Sequence, residues 1–254
     1  MKKFCLTIAS ILVCTLMYGQ RNNNAEYWNT WEYTPKEGMR ADFEKAAAKK
    51  TATFNKTPET TIITYRYVTG SKSGTYLRVE GLKSPADYDL DRSAEGQYWD
   101  KNVSKFIAKD AGQQRWQRLN NGSYNYDPKN PKPPSKIINK TTFSVKADKI
   151  VHFRRFMSRI AKMAKERNWP VSRMLYRLVS GGNRNEFVLI TAFDTYKRTP
   201  GPEFENSFED DYNDLFGFGS LDEDGKNFDA SFEYWGESRE TLHLVPEMST
   251  GGTN

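Results

Sequence analysis

The chain has 254 residues, 14% of them aromatic, and carries 38 Lys and Arg against 32 Asp and Glu, a formal charge of +6. That length can bury one large core or two smaller ones. The charge excess is too mild to suggest a nucleic-acid partner, and nothing after the N-terminal segment is apolar for long enough to span a bilayer.

Residues 1–19 read as a secretory signal, with Lys2 and Lys3 as the charged start, Phe4 to Met17 as the apolar run and Gly19 as a small residue for cleavage. The mature protein is then exported, periplasmic or extracellular, and losing two lysines reduces its charge excess to four. Both cysteines, Cys5 and Cys14, leave with the signal, so neither a disulfide framework nor thiol chemistry is expected.

Alternating aromatics over 26–34, Trp31 and Tyr33 among them, predict a strand ending at Pro35. A helix follows from Gly38 to Phe54, with Met39, Phe43, Ala46 and Ala47 on one stripe. Thr61–Val68 and Thr75–Gly81 form a hairpin across Gly70 and Gly74. A second helix is expected over 94–108, burying Tyr98, Trp99, Val103, Phe106 and Ile107, and then a short closing strand over 114–119. This gives β-α-β-β-α-β for a first unit over 26–127.

Residues 128–135 hold Asn-Pro and Pro-Pro, which support neither ladder nor helix, and mark a linker. The second unit, 136–249, starts with a strand over Ile137–Val145, and Asp148 is placed to cap a helix over 149–167. Ser172–Ser180 and Glu186–Asp194 make a second hairpin across Gly181-Gly182-Asn183. An acidic helix over 204–215 and a closing strand over 240–245 complete the unit, and 250–254 reads as a disordered tail.

The two hairpins repeat one phrase. Thr64-Tyr65-Arg66-Tyr67-Val68-Thr69-Gly70 returns 111 residues later as Leu175-Tyr176-Arg177-Leu178-Val179-Ser180-Gly181. With this element order, and with the ending Leu242-His243-Leu244-Val245-Pro246-Glu247-Met248-Ser249, the chain resembles the dimeric α/β-barrel superfamily of ferredoxin-like units, as in NIPSNAP-type, stress-responsive barrel and antibiotic-biosynthesis-monooxygenase-like proteins. The resemblance implies an α+β fold of two tandem ferredoxin-like βαββαβ units forming one pseudo-dimeric α/β barrel, as a monomer or a homodimer. It implies two enzymatic alternatives as well, a cofactor-independent monooxygenase and a haem-binding barrel. No catalytic motif of the family can be matched residue by residue.

Alternation on the third strand puts Leu77 and Val79 on one side, read as facing the helices, and Tyr76, Arg78 and Glu80 on the other, read as facing the space between sheets with Arg66. Arg177 repeats Arg66, and Phe187, Leu189, Thr191 and Phe193 are expected to line the facing surface. Guanidinium offers a planar fork of donors suited to carboxylate or phosphate. Arg66, Tyr76, Arg78, Glu80 and Arg177 are therefore the candidate site for a small anionic molecule.

His152 and His243 read as surface or packing residues, and they are the only imidazoles a haem could use. Asp222-Glu223-Asp224-Gly225 fails as a calcium loop, because Ser220 and Ser231 stand at the first and twelfth positions, and reads as a solvated acidic loop. Most tryptophans are expected in the core. The leading functional reading is an exported, non-catalytic binding or structural protein with no predicted cofactor or metal. A protein-assembly module is a further alternative, and whether the chain is an enzyme stays open.

Overall fold

A computed structural model describes residues 25–197 and 203–251, so the expected signal and the last three residues of the tail lie outside it. The first half runs β1 (Tyr27–Pro35), α1 (Arg40–Phe54), β2 (Ile63–Tyr67), β3 (Tyr76–Lys83), α2 (Ser93–Asn102) and β4 (Ile107–Arg118). The second runs β5 (Ile137–Val145), α3 (Ile150–Glu166), β6 (Ser172–Ser180), β7 (Glu186–Phe193), α4 (Phe208–Phe216), α5 (Ser220–Asp229) and β8 (Phe232–Leu244). All eight strands are antiparallel to their neighbours and close into one barrel in the order β1-β3-β2-β8-β5-β7-β6-β4. Closure removes most of the edge problem.

Helices pack on the outside and mostly apolar side chains line the inside. On the outside of the first half, Phe43 and Ala47 of α1 pack on Tyr33, Tyr76 and Trp99. In the second half Phe153 and Met157 of α3 meet Phe143, Phe187, Phe228 and Phe232. The α3 residues Phe153, Met157, Ala161 and Ala164 are all buried at the spacing of one helical face. Inside the barrel the core is Tyr65, Tyr67, Leu77, Val79, Trp116, Tyr176, Leu178 and Val188 with their neighbours.

The repeated phrase has a geometric meaning. Tyr65 and Tyr176 both face the lumen, while Arg66 and Arg177 point the other way along their strands. Gly70 and Gly181 both adopt left-handed backbone, at φ +79° and +89°. At Gly181 a Cβ would lie 2.3 Å from the Gln113 carbonyl oxygen, so no other residue fits that turn without displacing β4.

Several expected boundaries move. The predicted helix over 94–108 ends at Asn102, and β4 starts at Ile107, much earlier than a closing strand over 114–119. The last strand begins at Phe232 rather than 240, because its first half is exposed and lacks the apolar alternation that marks a strand. Asp148 makes no cap, since Lys149 holds that position without a side-chain bond. Ser207 does cap α4, accepting the Asp210 amide at 3.0 Å. The acidic stretch at 222–225 is inside α5, where buried Asp224 binds Arg155, Arg159 and the Tyr212 hydroxyl. Thr250, expected to belong to a disordered tail, bonds to the Ile62 backbone in both directions.

Candidate functional site

Two cavities lie on opposite sides of the same sheet. The outer one, about 410 Å3, sits between α2 and the outward face of β1, β3 and β4. Register brings its floor together in two rows: Arg115 of β4, Asn29 of β1 and Glu80 of β3, then Gln113, Trp31 and Arg78. Trp99 and Glu95 of α2 and Lys50 of α1 supply the roof.

Arg78 is the unusual member. It is 1% exposed, its Nη2 donates to Thr51 Oγ1 at 2.5 Å, and its guanidinium lies 5.1 Å from the Trp99 ring centroid. Its Nε has no hydrogen-bond partner. The nearby carboxylates are engaged elsewhere: Glu80 with Arg92 at 2.6 Å and Glu95 with Lys50 and Arg92. No carboxylate among the described residues reaches ion-pair distance of Arg78 or Arg115. Arg115 stacks on Tyr88 at 3.2 Å, and its Nε is likewise unpartnered. A buried charge left without its partner is expensive.

The titration behaviour follows from this crowding. Burial pushes Arg78 down to about 10, partly offset by Tyr33, Glu95 and Glu80. Burial and then the neighbouring Arg78 charge push Lys50 down to about 8, against the pull of Glu95. For Glu95 burial acts upward, but bonding to Lys50 and the charge of Arg92 outweigh it and leave its carboxyl below the usual range.

The second cavity is the barrel lumen, about 760 Å3, with a mouth crossed by residues 125–135. Its walls are mostly apolar, and Glu32 and Lys140 stand at the inner end. Glu32 accepts the Tyr67 hydroxyl at 2.5 Å and Lys72 at 2.7 Å, with Lys140 at 3.6 Å. Burial raises the Glu32 pKa, but the two lysines and Tyr67 overcome it, and the net direction is down.

The five candidate residues divide between places. Arg78 and Glu80 come together in the outer pocket. Tyr76 shares that face but bonds to Glu44 and Arg40 of α1. Arg66 and Arg177 lie on separate strands away from both cavities, with Arg177 Nε donating to the Arg184 carbonyl at 2.9 Å. The expected facing is thus reversed: Leu77 and Val79 look into the lumen, and Tyr76, Arg78 and Glu80 look toward the helices. In the second half Val188 and Ile190 line the lumen, while Phe187 and Leu189 pack under α3. The strand β3 is buried on both sides, so alternation identifies two faces without saying which one is inside.

The sequence assigns Trp99 to the core alone and gives Lys50 and Arg115 no role, yet all three line this pocket. The signal for Lys50 was available, because it continues the Phe43 and Ala47 stripe on a helix where a lysine has no reason to be buried. Neither histidine lines either of these two cavities: His243 Nε2 pairs with the Tyr196 hydroxyl at 2.8 Å, and His152 lies on α3. The space between α3 and its sheet is filled by stacked phenylalanines. A histidine-ligated haem does not fit either cavity. No cluster of three His, Cys, Asp or Glu with metal-holding geometry occurs among the described residues. Trp116 is core as expected, whereas Trp235 is 86% exposed.

No protein-family model matches the sequence, and no curated protein matches it. Solved structures do. The chain is similar to a provisionally assigned monooxygenase from Lactobacillus acidophilus NCFM, at 12% identity over 89% of this chain and 96% of that one, with a TM-score of 0.57. An anthrone oxidase-like protein gives 9% identity, 88% and 92% coverage and a TM-score of 0.54. A chlorite dismutase-type protein, TA0507, gives 12%, 88% and 96%, and 0.50. At these identities the likeness is one of fold, and the fold is that of the monooxygenase-like and chlorite dismutase-like dimeric α/β barrels.

Proposed function

We propose that this chain is an exported binding protein that holds a small, ring-bearing anion in the pocket between α2 and the sheet. One observation carries the reading: Arg78 is fully buried, unpaired with any carboxylate and aimed at a cavity. Trp99, Tyr33 and Tyr88 give the same cavity aromatic walls, which suit a benzoate-type carboxylate better than a bare inorganic ion. Export rests on the Lys2-Lys3 start, the short apolar run and Gly19. The barrel is read as two tandem ferredoxin-like units, since each half has its strands in the order last, first, third, second.

Titration calorimetry with benzoate and 4-hydroxybenzoate tests the site. Binding is expected for the intact chain, with loss of at least tenfold in affinity on Arg78→Gln, the scale of a charge-assisted bond. Arg177→Ala should leave affinity unchanged. Equal affinity in the Arg78 variant would remove the proposal.

A second reading is an oxygenase acting on such a ring, favoured by Lys50. An amine held near pKa 8 beside an aromatic pocket suits proton abstraction from a substrate. The monooxygenase and anthrone oxidase-like proteins of the same fold lend it analogy only. Oxygen consumption with anthrone as substrate, lost in Lys50→Gln, would support it, and no oxygen uptake would dismiss it.

A further inference from the structure

The barrel lumen is a separate cavity that the anion pocket leaves unused. Its volume of about 760 Å3 falls within the range of small-molecule sites, and Leu77, Val79, Ile138, Met174, Val188 and Ile190 dominate its walls. Interiors are otherwise close-packed, so the atoms around such a void lack contacts on one side. One polar atom stands out. Tyr176 is among the residues lining the cavity, it is 2% exposed, and its buried hydroxyl has no hydrogen-bond partner. A buried hydroxyl in that state is missing a bond that an occupant can supply.

The buried charges that line the lumen, and the Glu26–Arg118 pair close to it, are already matched, while Asp127 and Lys132 are exposed. Glu26 pairs with Arg118 at 2.8 Å, and Glu32 with Lys72 at 2.7 Å and Lys140 at 3.6 Å. An ion would therefore gain little inside. The rings are more inviting: Trp28 lies 4.5 Å from Tyr176, centroid to centroid, and Trp116 and Tyr65 also line the space. At the mouth Leu82 is held at φ +58° with its side chain 42% exposed, an unusual backbone for a leucine.

We infer that the lumen binds an uncharged, ring-bearing molecule whose carbonyl oxygen accepts a hydrogen bond from Tyr176. The strap of residues 125–135 crosses the mouth and covers the occupant. This site is independent of the outer pocket, because the β1 and β3 backbones separate them.

Two probes of nearly equal shape isolate the claim: 2-acetylnaphthalene, which has the carbonyl, and 2-ethylnaphthalene, which does not. Tryptophan fluorescence of the full chain should show both binding, the ketone tighter by about fivefold, the scale of one neutral hydrogen bond. Tyr176→Phe should bring the two within a factor of about two, and Val188→Trp should weaken both by more than tenfold by filling the space. Arg78→Gln should leave both untouched, which separates failure here from failure of the anion site. The inference is overturned if neither probe binds, if the ketone has no advantage on the unaltered chain, if that advantage survives Tyr176→Phe, or if Arg78→Gln abolishes binding.

Discussion

Arg78 keeps a full charge at a depth where its usual compensation is absent. Replacing a buried charge of this kind with an apolar side chain of similar length is often neutral or stabilising, whereas removing one partner of a true buried pair costs several kcal/mol. Arg78→Met is therefore expected to melt no lower than the parent chain while losing benzoate binding. A stability loss above about 2 kcal/mol in urea would make it a structural arginine held by Thr51 and Trp99. Lys50 sets the pH dependence. With its pKa lowered to about 8 in the free protein, an anion that favours the charged amine binds best below that value. Affinity should fall as pH rises from 8 toward 10, and Lys50→Gln should flatten that decline.

Among the elements, α5, β4 and β8 differ from the sequence reading in instructive ways. The stretch around Asp224 has the composition of a solvated loop, yet it forms α5 because Arg155 and Arg159 on α3 draw its one buried carboxylate inward. Charge complementarity between helices distant in sequence leaves no periodic trace, so the arginine crowd and the acidic crowd could be seen but not paired. The Asp224 carboxyl is held below its usual range; burial acts upward, and Tyr212 and the two arginines prevail. Its contribution is present above about pH 4, near the unfolded value, and is lost as pH falls through the lowered one. Because both arginines are partly exposed, Asp224→Asn should cost about 2 kcal/mol by urea midpoint rather than the larger loss of a fully buried pair. Strands, by contrast, were readable almost to the residue wherever they were short and apolar, as in β5 and β6. The long exposed arms of β4 and β8 were not, since their positions are fixed by pairing to β1 and β5 rather than by burial. The hairpin glycines were legible and can be graded: Gly181→Ala, with its backbone clash, should cost over 2 kcal/mol in melting experiments, and Gly74→Ala, with open space around it, about 1.

At the scale of the whole molecule, the proposed reading of two tandem units accounts for how the barrel closes. Each half presents an inner face of Tyr65, Leu77 and Val79 or of Tyr176, Val188 and Ile190, and each is covered only by the other. The halves meet along two ladders, β2 with β8 and β4 with β6, each made of few residue pairs. Most of what joins them is therefore the burial of the lumen-facing side chains, at roughly 25 cal/mol per Å2. A chain cut within residues 128–135 leaves both ladders intact, so co-expressed halves should reassemble into the parent barrel. Residues 25–127 produced alone lack that cover. They should form a homodimer, pairing β2 and β4 with a second copy, and sedimentation velocity distinguishes this from the alternative. A folded, monodisperse monomer of the first half would show that its inner face needs no partner, and the account of the barrel as two mutually shielding halves would fail with it.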